Sequence, residues 1–68
     1  ASLGQLAAGV AHDFNNLLGI ILNYTAFATD RANEIDDDTM TADLVRVRVA
    51  AERAVGLTRQ LLSFAAAR

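Results

Sequence analysis

Leu3, Ala7, Val10, Phe14, Leu17, Ile21, Tyr24 and Ala28 recur at alternating spacings of four and three residues. That is the heptad rhythm of a bundle helix. Leu6, Ile20 and Phe27 widen the stripe beyond a narrow seam. The second half carries a similarly broad face of Leu44, Val47, Ala51, Ala54, Val55, Thr58, Leu61, Leu62 and Ala65. No proline interrupts either half, and the chain is rich in Ala, Leu and Arg, all of which favour helix. The pattern predicts a helix over residues 2–33, an acidic connector over 34–38 and a second helix over 39–67. Asp38 or Thr39 is expected to accept hydrogen bonds from the free amides at the second helix start. The carboxylates around them suit the positive end of that helix dipole. So short a connector makes the helices antiparallel neighbours. The expected fold class is all-α, an antiparallel two-helix hairpin.

A chain of 68 residues buries only a thin core and usually needs a disulfide, a metal or a partner chain for support. It has no cysteine and one histidine, which excludes disulfides, thiolate metal sites and a multi-histidine zinc site. Carboxylate sites are not excluded on these grounds, but no metal ligand is singled out, and a partner chain is the remaining support. Each apolar face is wider than one helix can cover, so two hairpins are expected to pair as a homodimer. The result is a parallel-subunit four-helix bundle with both connectors at the same end. A net charge of −2 argues against a nucleic-acid partner. No apolar run reaches the length of a membrane span, so no direct membrane contact is expected. No signal peptide is visible, and the lack of cysteine suits a cytoplasmic setting. Asp43 with Arg46, and Arg48 with Glu52, stand at helical ion-pair spacing and are worth tenths of a kcal/mol each.

His12 stands two residues past Val10, off the apolar seam. At about 100° per residue, its stripe holds Gln5, Gly9, His12, Asn15, Asn16, Gly19 and Asn23, every one polar or glycine. Two glycines inside a helix cost roughly 1 kcal/mol each against alanine, and they leave the imidazole unshielded for close approach of another macromolecule. Neutral imidazole is a nucleophile near pH 7. Asp13 follows directly, and a carboxylate beside one ring nitrogen takes that proton and leaves the other nitrogen to attack. No Ser or Cys nucleophile stands at helical spacing from His12, and no glycine-rich phosphate loop is present. The residues point to an acceptor or relay for a group delivered by another domain. An ordinary solvent-facing stripe with an incidental histidine is the alternative on this reading.

The run from Gly4 to Leu18, with His12-Asp13-Phe14-Asn15-Asn16-Leu17-Leu18 at its centre, closely resembles the phosphoacceptor box of bacterial sensor histidine kinases. The stretch from Ala51 to Phe64 is similar to the second helix of the same dimerisation and histidine-phosphotransfer domain. The likeness covers nearly the whole chain, with the region between matching only in length and character. It implies that His12 accepts the γ-phosphoryl group of ATP and relays it to an Asp of a response regulator. It implies that Asp13 is the general base, shorter by one methylene than the Glu of many relatives. Asn16 matches the position linked to dephosphorylating the regulator, where its amide would orient a water. Asn15 is the weaker candidate there, read as a solvated surface amide. Many relatives have Pro after the Asn16 position; Leu17 stands here, so no proline kink is expected.

The resemblance also implies partners. A response-regulator receiver domain is expected to dock below His12 on Gly19, Leu22, Asn23 and Ala26, with Val45 and Val49 from the second helix. An ATP-binding catalytic domain of the same kinase is expected to supply ATP and Mg, because the asparagine and glycine boxes of that domain have no counterpart here. No cofactor is expected on these residues, which alone should lack ATP-dependent kinase activity. The first helix is expected to continue upstream toward a sensor module. Two other functions fit the same sequence, a non-enzymatic helical dimerisation scaffold and a stand-alone histidine phosphotransferase.

Overall fold

The structure, a computed structural model, describes residues 2–66. Two helices, α1 (Leu3–Glu34) and α2 (Asp38–Ala66), lie side by side in a rod of 50 × 14 × 10 Å. The helix bounds fall within one residue of those expected at each described end, while the expected last helical residue, 67, lies outside the described residues.

Ser2 caps α1 in a capping box. Its hydroxyl accepts from the Gln5 amide at 3.1 Å, and the Gln5 side chain accepts from the Ser2 amide at 3.2 Å. Two otherwise unpaired donors at the helix start are thereby satisfied. The connector is tighter than the acidic run suggests, only residues 35–37. The Asp37 amide donates to Ala32 O at 3.0 Å and the Asp36 amide to Asn33 O at 3.2 Å, the paired bonds of a Schellman C-cap. That cap needs a left-handed residue, and Asp36 supplies it at φ 54°, a conformation that Asp tolerates better than most side chains.

Asp37 also begins the second helix. Its carboxylate accepts from the Met40 amide at 2.9 Å, so Asp37 is the N-cap, in place of the expected Asp38 or Thr39. Three aspartates in a row make the local signal degenerate. The Schellman bond decides among them by ending α1 on Asp37's own amide. Asp37→Ala is expected to lower stability by about 0.5–2 kcal/mol, and Asp36→Gly to raise it by about 1 kcal/mol or less. Urea unfolding of the two variants checks both signs, and a stabilised Asp37→Ala would count against the cap.

The helices touch through a seam one residue later than the bulky stripe read from the sequence. Gly4, Ala8, Ala11, Asn15, Leu18, Leu22, Thr25, Thr29 and Ala32 are buried or half-buried against α2. From α2 they meet Thr41, Leu44, Ala51, Ala54, Val55, Thr58 and Leu62. Small residues at most of these positions let the backbones approach closely. The seam threonines on α1 satisfy their hydroxyls locally, Thr25 to Ile21 O at 2.6 Å and Thr29 to Thr25 O at 2.8 Å. The bulky stripe instead faces outward, with Phe14 52%, Leu17 57% and Tyr24 66% exposed. On α2, Val47 and Leu61 are exposed as well. Among the described residues only Ala11, Thr25, Ala32 and Ala51 are buried, and no large side chain is fully enclosed.

Of the two expected ion pairs, Arg48–Glu52 forms at 3.4 Å between side chains about half exposed. Asp43 and Arg46 do not come within ion-pair distance. Both are exposed, and solvation with free rotamers outweighs a weak surface attraction.

Candidate functional site

α1 carries the stripe through His12 clear of both its seam and its bulky stripe. His12, Asn16, Gly19, Asn23 and Ala26 follow spacings of four, three, four and three, and all are exposed. The His12 and Asp13 side chains are 76% and 82% exposed. The imidazole Nδ1 lies 4.0 Å from Asp13 Oδ1. Successive helical residues diverge by about 100°, so the two side chains meet only around the helix edge. At that separation the carboxylate faces Nδ1 without bonding to it.

The helix beside the imidazole is pared down. A Cβ added at Gly9 or Gly19 would meet nothing within 4 Å, so nothing in the hairpin's own packing requires glycine there. Gln5, Leu6, Gly9, Val10, His12 and Asp13 line a shallow concavity at the imidazole. A second, more apolar cleft lies at the open end of the hairpin, among Leu3, Ala7, Ala8, Leu61 and Phe64. It lies beside the exposed bulky stripe, and Gln5 lines both it and the concavity at the imidazole.

Asn16 is exposed one turn beyond His12. Asn15 is not a solvated amide. It is half-buried in the seam, with Thr58 Oγ1 2.7 Å from its Oδ1. The stripe drawn on an ideal helix placed Asn15 beside Asn16, whereas the interhelical partner lies 43 residues away in sequence, beyond any local pattern. Of the expected docking residues, Gly19, Asn23, Ala26, Val45 and Val49 are exposed. Leu22 is half-buried on the seam toward α2. Val45 and Val49 line a separate depression with Arg46, Ala50, Arg53 and Leu57. Among the described residues no cluster of His, Cys, Asp and Glu is arranged to hold a metal ion, and no helix is long and apolar enough to cross a membrane.

A long helical hairpin that presents one histidine to solvent, off its own packing seam, has the build of a histidine phosphoacceptor module. Residues 2–68 match the His Kinase A (phospho-acceptor) domain family, and the chain belongs to it. Over 64 residues it is 42% identical to Sensor kinase CckA of Brucella abortus (strain 2308), across 93% of this chain. The chain spans about 6% of that curated relative's length. No solved structure matches it.

Proposed function

We propose that the chain is the dimerising phosphoacceptor domain of a two-component sensor kinase, with His12 as the acceptor. The supporting observation is His12 itself, the sole histidine of a phospho-acceptor family domain, standing 76% exposed with a carboxylate facing Nδ1. Asp13 accepts a hydrogen bond from Nδ1–H, which keeps the lone pair on Nε2 free to attack, and takes the Nδ1 proton as Nε2 bonds to phosphorus. A bond forms between Nε2 and the γ-phosphorus of ATP as the bond to the ADP oxygen breaks. The phosphoryl group then passes to an aspartate on a response-regulator receiver domain. ATP and magnesium are held by a separate catalytic domain of the same kinase, in the cytoplasm. The regulator docks along Gly19, Asn23 and Ala26, with Leu22 beneath them and Val45 and Val49 on α2.

What one hairpin leaves open supports a homodimer. Its accessible surface is 5276 Å² for 7.2 kDa, where a compact chain of that mass exposes roughly 4,100 Å². The bulky stripe of α1 accounts for much of the open apolar surface, and a second copy covers it.

Incubation with a cognate catalytic domain and ATP should leave acid-labile, alkali-stable phosphate on the chain. A folded, dimeric chain that takes none would overturn the reading and favour a scaffold. Asp13→Asn is expected to accept phosphate much more slowly, because an amide cannot take the ring proton. An unchanged rate would remove Asp13 from the mechanism. Asn16 acts in the reverse direction. A carboxamide is no base near neutral pH, but it hydrogen-bonds a water and aims it for in-line attack on the regulator's phosphate. Asn16→Ala in the intact kinase is therefore expected to lengthen regulator phosphate lifetime while leaving His12 phosphorylation largely intact. Equal lifetimes would leave Asn16 a solvated surface residue.

A further inference from the structure

Two heptad stripes lie side by side on α1, one residue or about 100° apart. Val10, Phe14, Leu17 and Ile21 belong to the bulky one; Ala11, Asn15, Leu18 and Leu22 belong to its neighbour. Burial of apolar area alone favours turning the bulky stripe toward α2. The hairpin takes the other.

Asn15 and Thr58 favour the observed choice. Their side chains meet at 2.7 Å, half-buried, midway along the seam. The Thr58 hydroxyl also lies 3.0 Å from Ala54 O and 2.9 Å from Val55 O. It carries one proton. It donates to Asn15 Oδ1, the shortest of the three contacts, with the carbonyls of its own helix as alternative acceptors. Asn15 has this partner only at the observed rotation of α1. Turning α1 by one residue to seat Phe14 in the seam takes Asn15 away from Thr58 and sets an aromatic ring against the hydroxyl. A partly buried polar pair of this kind adds little net stability yet selects one arrangement over its rivals, as a polar residue in a coiled-coil seam selects register. His12 stands three residues before Asn15 on the same uninterrupted helix, so the rotation of one is the rotation of the other.

We infer that the Asn15–Thr58 hydrogen bond sets the rotation of α1 against α2 at the level of His12, which makes both residues positioning residues for phosphoryl transfer. The inference rests on the function proposed above. Removing the pair weakens the preference for this rotation over its rival, and the imidazole no longer meets its phosphodonor in one orientation.

Three variants in the full-length kinase test this, with thermal unfolding and sedimentation of the 68-residue chain alongside. Thr58→Val keeps the side chain's shape and removes only the hydroxyl. It is expected to slow His12 phosphorylation by about ten- to a hundredfold, the scale of an ångström-level misplacement. Thr58→Ser returns the hydroxyl and is expected to restore the rate. Asn15→Leu combined with Thr58→Val leaves no polar group unpaired, so the chain is expected to melt at or above the wild-type temperature and still phosphorylate slowly. That split between stability and rate is the signature of positioning, since a merely structural pair moves both together. Wild-type rates in Thr58→Val or in the double variant would overturn the inference, as would failure of Thr58→Ser to recover. If wild-type His12 itself takes no phosphate, the proposed function falls, and this inference with it.

Discussion

Replacing His12 with glutamine is expected to abolish phosphate incorporation and leave the helices intact. Glutamine retains a polar side chain but has no nucleophilic nitrogen, and it favours helix at least as well as histidine. The imidazole is exposed and off the seam, so its loss opens no cavity, and surface changes of this kind usually stay within about 0.5 kcal/mol. Circular dichroism and the melting temperature should match wild type while acid-labile phosphate disappears. Residual acid-labile phosphate in the variant would move the acceptor away from the sole histidine. Loss of helicity together with phosphate would give His12 a structural role instead.

Ile21→Ala is expected to disperse the dimer while changing the single hairpin little. Ile21 is 45% exposed in one chain and lies on the bulky stripe that a second copy would cover. Full burial in the dimer makes the truncation cost about 2–5 kcal/mol per site. Two-fold pairing applies that cost twice, so even the lower figure weakens association roughly a thousandfold. Leu61, exposed on α2, is expected to behave the same way if the partner also covers it. Sedimentation across micromolar concentrations reads the effect directly. A well-folded wild-type monomer at those concentrations, or an Ile21→Ala dimer of unchanged affinity, would defeat the prediction. The first residues to lose protection from hydrogen exchange should be those of the bulky stripe.

Helix content, hairpin order and the exposed His12 stripe were legible from periodicity, because each depends on residues within two turns of one another. The choice between two adjacent stripes was not. Hydrophobic counting ranks Phe14 and Leu17 above Asn15 and Leu18, but close approach of two backbones rewards Gly4, Ala8 and Ala11. A hydrogen bond to Thr58, 43 residues away, also fixes Asn15 inward. Leu22 turned half inward for the same reason: it shares Asn15's stripe at plus seven. The cap shifted from Asp38 or Thr39 to Asp37 because the bond that ends α1 and the bond that starts α2 converge on one residue. No scan that treats each helix end separately detects such a residue.

That shared residue makes the hairpin a tuning fork. The prongs are clamped at Asp37, which belongs to both terminal hydrogen-bond sets, so neither helix slides or frays there without the other. At the far end, Ser2 and Phe64 have no such clamp. Small changes in splay therefore grow with distance from the base. His12 stands 22 residues before Glu34, about 33 Å up its prong at 1.5 Å per residue. A splay of two degrees moves it by about 1 Å, the scale of misplacement to which the proposed phosphoryl transfer would be sensitive. Splay at the open end thus reaches the imidazole only against the Asn15–Thr58 hydrogen bond, while the base holds still.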